Sequence, residues 1–266
     1  MTSTIIIGGM DSSYSEVAAV LYFGPLNITI PSLSVAVDSN TAVYINGTLY
    51  SCGGSTGACY KYDLAENSGT WEMFTTISGW AKLMPAVAFD DFFWYFNEKI
   101  REVPVNGNSV TSYEWGLGYH GCAVGNGSHS LVIQYLNSSV LMNSDPSFPN
   151  NWNTVVELNE AVHQCGCMWF GNTIYVTGGV NATSQAINTV QLINTDTFEL
   201  TLGAPLPITI FEHKMGVIDG KPAVIGGVNT FGILSSIYVY DSSNNTWSLS
   251  SHSLSGGRKD FGSVTF

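Results

Sequence analysis

The stretch NGTLYSCGG, residues 46 to 54, joins a turn dipeptide to a short alternating run that ends in two glycines. The same order returns along the chain, where paired glycines close the runs TIIIGG, TIYVTGG and PAVIGG. The first glycines of neighbouring copies lie 45 residues apart from Gly8 to Gly53 and 48 apart from Gly178 to Gly226, and the 125 residues between Gly53 and Gly178 leave room for two degenerate copies. A period in the forties is typical of stacked supersecondary units.

Each unit has the pattern of short strands rather than helices. Val, Ile, Tyr and Thr alternate in runs that Asn-Gly, Asp-Gly and Ser/Asn clusters separate. ILSSIYVYD at residues 233 to 241 is too β-branched for a helix, and EVAAVLYFG at 16 to 24 runs into Pro25. The paired glycines suit strand ends where φ is positive or another strand approaches closely, so we expect their role to be architectural.

Two of the units carry a further signature after the glycines. In the second and sixth units a Tyr-Asp pair and then a tryptophan follow: Tyr62, Asp63 and Trp71, and Tyr240, Asp241 and Trp247. This order resembles the kelch repeat, whose unit is a four-stranded propeller blade. The third and fourth units lack the glycine pair, and the fifth has Phe198 near the tryptophan position. The resemblance implies an all-β propeller.

The two ends of the chain complete each other. A kelch-like unit runs from inner strand a through b, c and d, but residue 1 stands directly before a b strand, and KDFGSVTF at 259 to 266 is an inner strand with no b strand after it. We therefore predict a six-bladed kelch-like β-propeller, with the first blade closed by the C-terminal strand. It forms one domain over residues 1–266, with blade 1 from 1–34 plus 257–266 and blades 2 to 6 within 35–256. Closure protects the sheet edges of such a ring.

Charge excludes several classes of partner. Eight basic residues stand against twenty acidic ones, for a formal net charge of −12. Nucleic-acid binding needs a stripe of lysine or arginine to neutralise phosphates, so we expect no nucleic-acid partner. The same scarcity argues against the arginine-lined pocket of the kelch-type ubiquitin-ligase adaptors. The sequence has no run of 18 apolar residues, so we expect no membrane insertion.

The cysteines bear on the compartment. Cys52 and Cys59 bracket GGSTGA at a b-to-c turn, where hairpin pairing sets them opposite each other, and we predict a disulfide between them. In a cytosolic protein such a pair would remain reduced, so the bridge would place the protein outside the cytosol.

Three further cysteines, Cys122, Cys165 and Cys167, lie in the motifs HGC and HQCGC. A metal cluster with His120 and His163, a disulfide, and buried thiols are the alternatives. Alternation along a strand puts Cys165 and Cys167 on one face, whereas Cys122 would meet the opposite face of the next blade. We therefore expect buried thiols and no metal site, since free cysteine is among the most buried residue types.

Asn-x-Ser/Thr sequons occur at six positions: Asn27, Asn46, Asn126, Asn137, Asn181 and Asn244. Asn46 and Asn126 fall at predicted a-to-b turns, Asn181 in a b-to-c loop and Asn244 in a c-to-d turn, where a glycan can stand in solvent. With few lysines and five cysteines, these sequons favour a secreted glycoprotein. MTSTIIIGG has no signal-peptide pattern, so a secreted precursor would have lost its signal; taken as an intact gene start, the chain would be cytosolic.

The kelch resemblance does not decide whether the protein is an enzyme, because such rings include galactose-oxidase-type copper proteins and sialic-acid mutarotases. Copper chemistry would need tyrosine and histidine ligands at the axis, but His129 and His252 fall in outer turns or loops. A mutarotase would need an acid/base carboxylate and a cation for a sugar acid. Candidates near the d-to-a turns are Glu160, Glu212, Lys82 and Arg258. No nucleophile elbow or phosphate loop occurs in the sequence. We therefore expect that the protein is not an enzyme and binds no cofactor.

A binding or assembly surface remains. The d-to-a loops place aromatic, histidine and arginine side chains near one rim of the central channel: Trp80, Trp115, Tyr119, His120, His163, Phe211, His213 and Arg258. Packing between blades is the alternative role of each. The b-to-c loop VNTFGILSS adds Phe231, Ile233 and Leu234, which we expect to be exposed.

We predict a noncatalytic extracellular interaction or structural module that binds a protein partner or further copies of itself, with glycans as another class of ligand. The alternatives are a carbohydrate-active enzyme of the sialic-acid mutarotase kind and an intracellular kelch-type adaptor fragment. The adaptor would have reduced cysteines and unglycosylated asparagines.

Overall fold

The computed structural model describes residues 2–25, 28–54, 56–65, 69–77, 85–96, 99–114, 120–134 and 138–266. Within these ranges the regular elements are β-strands, and no α-helix occurs. Consequently no helix in the described part of the chain is long and apolar enough to cross a membrane.

The strands follow the predicted order of short elements separated by turns. Those of the first half are β1 (Thr4–Ile7), β2 (Met10–Asp11), β3 (Val20–Phe23), β4 (Asn40–Ile45), β5 (Thr48–Gly53), β6 (Ala58–Asp63), β7 (Glu72–Thr76), β8 (Ala86–Ala88), β9 (Phe92–Phe96), β10 (Lys99–Pro104), β11 (Thr111–Glu114), β12 (His120–Gly125) and β13 (Ser130–Gln134).

The strands of the second half are β14 (Ser139–Asn143), β15 (Asn153–Glu157), β16 (Val162–His163), β17 (Gly166–Phe170), β18 (Thr173–Thr177), β19 (Val180–Asn181), β20 (Val190–Asn194), β21 (Leu200–Leu202), β22 (Lys214–Ile218), β23 (Lys221–Ile225), β24 (Val228–Asn229), β25 (Gly232–Ile233), β26 (Ser236–Asp241), β27 (Thr246–Ser253), β28 (Arg258–Lys259) and β29 (Gly262–Thr265).

These strands form the blades of a six-bladed β-propeller. Blades 2 to 6 are the four-stranded antiparallel sheets β4-β5-β6-β7, β8-β9-β10-β11, β12-β13-β14-β15, β17-β18-β20-β21 and β22-β23-β26-β27. In each blade the strands follow one another in chain order from inner strand a to outer strand d. Blade 1 contains β29, β1 and β3, in that order. The predicted all-β propeller with six blades is confirmed.

The carboxyl-terminal strand closes the ring. β29 pairs antiparallel with β1, so that Thr4 lies opposite Thr265 and Ile7 opposite Gly262. Ser3 N donates to Phe266 O at 2.8 Å, and Phe266 N donates back to Ser3 O at 3.0 Å. The isoleucines of β1 are fully buried between the neighbouring sheets. The predicted closure of blade 1 by the C-terminal strand is thus confirmed.

The side chain of Thr4 connects blade 1 to blade 6. Thr4 Oγ1 accepts a hydrogen bond from Val217 N at 2.8 Å, donates to Val217 O at 2.9 Å, and lies 2.9 Å from Thr265 Oγ1. The Thr4 hydroxyl therefore satisfies two buried backbone groups on the inner strand of the adjacent blade.

The tryptophans of the kelch-like signature lie between blades. Trp71 and Trp247 are buried, and each packs on the tyrosine of its own unit, with ring centroids 5.5 Å apart for Tyr62 and 5.1 Å apart for Tyr240. Their Nε1 groups donate across the blade boundary, from Trp71 to Pro31 O and from Trp247 to Ala204 O. A buried indole needs such an acceptor. These units therefore use the signature for packing.

The paired glycines fit their architectural role. Gly9 has φ 101° and Gly227 has φ 90°, and a Cβ at either position would lie under 3 Å from the connection that enters its blade. Their N–H groups donate into the connection that leaves the blade, from Gly9 to Val37 O at 2.7 Å and from Gly227 to Arg258 O at 2.8 Å. Only a residue without a side chain allows this approach.

Replacement of Thr4 by valine tests the link between blades 1 and 6. The shape of the side chain is retained, but Val217 N–H and C=O lose their partner in a buried place, so we expect the free energy of unfolding to fall by about 3 kcal/mol. Urea unfolding measures the change. Thr201→Val, at an exposed threonine of β21, is the matched control and should alter stability little. Equal effects of the two substitutions would contradict the role of the Thr4 hydroxyl.

Candidate functional site

The antiparallel order of the strands gives the ring two different ends. The b-to-c loops and d-to-a connections lie at one end, here called the loop end, and the a-to-b and c-to-d turns lie at the other, the turn end. Short ribbons reinforce the loop end, because the b-to-c loop of a blade pairs with the connection that enters that blade. β2 pairs with β28 in this way, and β19 pairs with β16.

Equivalent residues of four d-to-a connections have a left-handed backbone. The φ angles are 51° at Ser39, 53° at Gln164, 54° at Glu212 and 54° at Asp260. Residues other than glycine adopt this conformation at a cost of about 1 kcal/mol, so the surrounding contacts must hold it. One such contact joins neighbouring connections, since Glu212 N donates to Gln164 O at 2.9 Å.

Side chains at these positions form an ion cluster, defined as Gln164, Glu212, Lys259 and Asp260. Lys259 Nζ lies 2.7 Å from Glu212 Oε2 and 3.1 Å from Asp260 Oδ2, and all three side chains are largely buried. Gln164 Nε2 donates to Glu212 Oε1 at 2.8 Å. The cluster therefore joins the connections that enter blades 5, 6 and 1, and it places two carboxylates around one ammonium group.

Asp260 is the most perturbed carboxyl of the ion cluster. Burial, and next the charge of Glu212, raise the pKa of Asp260 to about 6 against the opposing effects of Lys259 and Lys214. Asp260 Oδ1 is buried without a hydrogen-bond partner. A carboxyl that titrates near neutral pH can donate or accept a proton under physiological conditions.

A channel of about 510 Å³ runs along the axis between the inner strands of the blades. Lys214 lines it, two residues after Glu212, and burial lowers the pKa of this lysine while Asp260 opposes the change. Cys165 and Cys167 also line the channel. Within the described residues, no group of three or more His, Cys, Asp or Glu is placed to hold a metal ion.

Two residues that the sequence placed on the rim are buried. His213 Nε2 accepts a hydrogen bond from Gly166 N at 3.2 Å and lies 2.9 Å from Thr177 Oγ1, so it joins blades 5 and 6. Burial and Lys214 lower the pKa of His213 to about 3. Arg258 is buried within β28, with Nη1 3.4 Å from Ala19 O. Both residues therefore have the contacts of the alternative role that the sequence left open, packing between blades.

The other expected rim residues have different outcomes. Phe211 is half-buried in a bridge with Val228, and His120 begins β12. Trp80, Trp115, Tyr119 and Lys82 lie outside the described residues.

Of the carboxylates considered for sugar chemistry, only Glu212 belongs to the ion cluster. Glu160 accepts Asn181 Nδ2 at 3.0 Å and Thr189 Oγ1 at 3.3 Å, so it fastens the b-to-c loop of blade 5. The sequence analysis missed Gln164, Lys259 and Asp260. Alignment of the d-to-a connections from the glycine pairs would have placed Gln164, Glu212 and Asp260 at one position.

Exposed apolar side chains at the loop end differ from the expected set. Phe231 is 93% exposed at the tip of the β24–β25 hairpin. Ile233 and Leu234 are only partly exposed, because Ile233 lies against Gly257 and Leu234 packs into the core between blades 5 and 6. Their expected exposure was wrong. Tyr14, which the sequence analysis missed, is 67% exposed in the neighbouring loop, with Lys259 Nζ 5.9 Å from its ring centroid.

The cysteines form two bridges. Cys52 and Cys59 lie opposite each other on β5 and β6 and are joined, as predicted. Cys122 and Cys167 are also joined, with Cα atoms 6.1 Å apart, and only Cys165 is a free buried thiol. The expectation of three thiols was wrong for Cys122 and Cys167. A β-bulge between His120 and Cys122 shifts the register of β12, and counted from the a-to-b turns Cys122 is equivalent to Cys167 rather than Cys165.

The sequons lie where the sequence placed them. Asn46, Asn126 and Asn244 are exposed in turns at the turn end. Asn181 is at the loop end, and its Nδ2 donates to Glu160. Asn27 and Asn137 lie outside the described residues.

Comparison with known proteins supports the fold and no more. No family model and no curated protein matches the chain. Among solved structures, the chain is similar to the one titled "Structure of YjhT", with a TM-score of 0.76 and 15% sequence identity over 87% of this chain and 88% of that chain. At this level of identity the likeness shows a common propeller fold.

Replacement of Asp260 by asparagine should change the pH dependence of stability. Because the native pKa is raised to about 6, the native state keeps a proton between pH 4 and 6 that the unfolded state has lost. The free energy of unfolding of the wild type should therefore fall relative to that of Asp260→Asn as the pH rises through this window, by about 3 kcal/mol in total. Urea unfolding at pH 4 to 7 measures it. The exposed Asp91→Asn is the control, and a constant difference between wild type and Asp260→Asn would refute the raised pKa.

Proposed function

We propose that this protein is a noncatalytic extracellular interaction module of the kelch-repeat kind, which associates with further copies of itself through its loop end. The observation that carries the proposal is the 93% exposure of Phe231 at the tip of a short hairpin. A soluble protein holds a phenyl ring in water at a cost, and aromatic residues are enriched where proteins bind one another.

The aromatic residues of the loop end are held in place before any partner binds. Asn229 Oδ1 accepts the N–H of Phe231 at 2.8 Å within the β24–β25 hairpin. Asp11 Oδ1 accepts the N–H groups of Ser13 and Ser15, on either side of Tyr14. A fixed backbone reduces the entropy that binding must remove, so both rings are suited to act as anchors.

The two rings belong to adjacent blades. Phe231 is in the b-to-c loop of blade 6 and Tyr14 is in that of blade 1, and the connection between these blades contacts both loops. Gly257 lies against Ile233, and Arg258 pairs with Asp11. One partner could therefore contact both aromatic residues.

Placement of the sequons favours the same end for association. Glycans on Asn46, Asn126 and Asn244 would stand at the turn end, away from Phe231 and Tyr14. At the loop end the one described sequon, Asn181, is half-buried, and its amide nitrogen donates to Glu160, as those of Asn46 and Asn244 donate to Asp90 and Asp241. Among the described sequons, the loop end thus carries one, against three exposed ones at the turn end.

Cysteine chemistry supports an extracellular protein. The bridges Cys52–Cys59 and Cys122–Cys167 involve four of the five cysteines. Structural disulfides persist in oxidising compartments and are rare in the cytosol. A cytosolic adaptor would keep these thiols reduced.

Sedimentation velocity of the purified protein tests self-association. We expect the wild type to form species larger than the 28.6 kDa monomer as its concentration rises. Loss of an aromatic anchor at the centre of an interface costs about 2 kcal/mol, so Phe231→Gln should raise the dissociation constant roughly 30-fold. Since each copy carries a net charge of −12, added salt should strengthen association by screening repulsion.

Phe148→Gln is the matched control, because Phe148 is 62% exposed in a c-to-d loop at the turn end. It should sediment as the wild type does. A wild type that stays monomeric at every concentration, or equal effects of Phe148→Gln and Phe231→Gln, would overturn association through the loop end.

Intact mass of the protein from its native source tests the compartment. We expect the mass to fall after glycosidase treatment, because exposed sequons in a secreted protein carry glycans. Under denaturing conditions without a reductant, alkylation should modify one cysteine, and after reduction it should modify all five. Bare asparagines together with five thiols that react before reduction would instead favour the intracellular adaptor.

A carbohydrate-active enzyme of the sialic-acid mutarotase kind is the second candidate function, and the ion cluster favours it. Glu212 and Asp260 could exchange a proton with a sugar, and Lys259 could bind its carboxylate. Anomer exchange of sialic acid, followed by NMR, distinguishes the candidates. Catalysis that Glu212→Gln abolishes and Phe231→Gln leaves unchanged would support the enzyme and refute a noncatalytic module.

A further inference from the structure

We propose that Cys122 exchanges its disulfide partner, so that the bridge between blades 4 and 5 joins Cys122 to Cys165 instead of Cys167. The thiol of Cys167 then becomes free at the axial channel. The inference rests on three sulfur atoms that meet at this seam, and it is independent of whether the loop end binds a partner.

The attacking thiol is already in contact with the bridge. Cys165 Sγ lies 3.5 Å from Cys122 Sγ, while Cys122 is bonded to Cys167. Cys122 comes from the inner strand of blade 4, and the other two cysteines from the start of the inner strand of blade 5. The shared sulfur is therefore the only one that must change partner, and neither blade needs to separate from the other.

Local backbone features place Cys165 next to the bridge. Gln164 has a left-handed φ of 53°, which turns the chain immediately before Cys165. Gly179 leaves room behind it, because a Cβ on that glycine would lie 2.9 Å from Cys165 Cβ. The same glycine pair that shapes the blade thus creates the space in which the third cysteine fits.

The step is a thiol–disulfide exchange and needs no external oxidant. The thiolate of Cys165 attacks Cys122 Sγ, the Cys122–Cys165 bond forms, the Cys122–Cys167 bond breaks, and Cys167 leaves as a thiolate. The proton lost by Cys165 passes to water in the channel, and Cys167 takes one up from the same source. Cys165 changes from a thiol to a disulfide sulfur, and Cys167 changes from a disulfide sulfur to a thiol. The number of electrons on the protein is unchanged.

Lys214 affects the attacking group. Burial raises the pKa of the Cys165 thiol to about 12, while the charge of Lys214 lowers it. Both residues line the channel. With the effect of Lys214 included, the thiolate of Cys165 is scarce at neutral pH and the exchange is slow.

Exchange changes which thiol a reagent can reach. Before it, the free thiol is that of Cys165, which is buried. After it, the free thiol is that of Cys167, which is only partly buried and lines the channel. The channel would then contain a modification site for small thiols and soft electrophiles, at a cysteine that the bridge otherwise protects.

Labelling of the native protein tests the proposal. The folded wild type is treated at pH 8 without reductant with N-ethylmaleimide, quenched with acid, reduced, and alkylated with a second reagent. Tandem mass spectrometry then locates the first label. We expect it on Cys167, with none on Cys52 or Cys59. Label on Cys165 in the folded protein, or label that enters only after denaturation, would overturn the exchange.

Two variants separate exchange from simple opening of the bridge. Cys165→Ser removes the attacking thiol, so labelling of Cys167 should fall to background; unchanged labelling would refute the mechanism. Cys167→Ser should join Cys122 to Cys165, and two free thiols in the folded variant would show that Cys165 does not reach Cys122. If either variant fails to fold, the position of the label on the wild type still decides the question.

Discussion

The hydrogen bonds between β1 and β29 are the constraint on which the rest of the ring depends. They place the last residues of the chain beside the first ones, so that blade 1 has an inner strand and both of its neighbours have a surface to pack against. Thr4 extends this junction into blade 6 through the backbone of Val217. With the ring closed, the described blades leave only short sheet edges, and each d-to-a connection that the structure describes has a fixed place at the loop end.

That fixed place explains how a chain with few charged residues assembles an ion cluster. One backbone conformation recurs at Gln164, Glu212 and Asp260, and the circular arrangement brings these successive side chains together. Lys259 then compensates the two carboxylates. The cluster holds three connections in a common position, and the same arrangement gives Asp260 a titration range near neutral pH. Structural support and proton chemistry are therefore properties of the same residues.

Some features of the fold and of the candidate site could be predicted from the sequence and others could not. The difference lay in whether a local sequence pattern determines the feature. The ring closure and the Cys52–Cys59 bridge follow from local patterns, namely a strand missing at one end and present at the other, and two cysteines across one hairpin. The Cys122–Cys167 bridge could not be found in this way, because the β-bulge at β12 leaves no mark in the alternation of residues. The predicted exposure of Ile233 and Leu234 was wrong for a similar reason, because a tight hairpin folds these residues back while Phe231 stays in solvent.

His213 gives the ring a weak point in acid. Its imidazole accepts a hydrogen bond from Gly166 across the contact of blades 5 and 6, and it can do so only while Nε2 carries no proton. The native pKa is about 3, below that of a histidine in an unfolded chain. The free energy of unfolding therefore falls as the pH falls from about 6.5 towards 3. A propeller with equally strong contacts between all its blades would have no preferred boundary at which to open. In this propeller, acidification would weaken the contact between the fifth and sixth blades at the imidazole of His213.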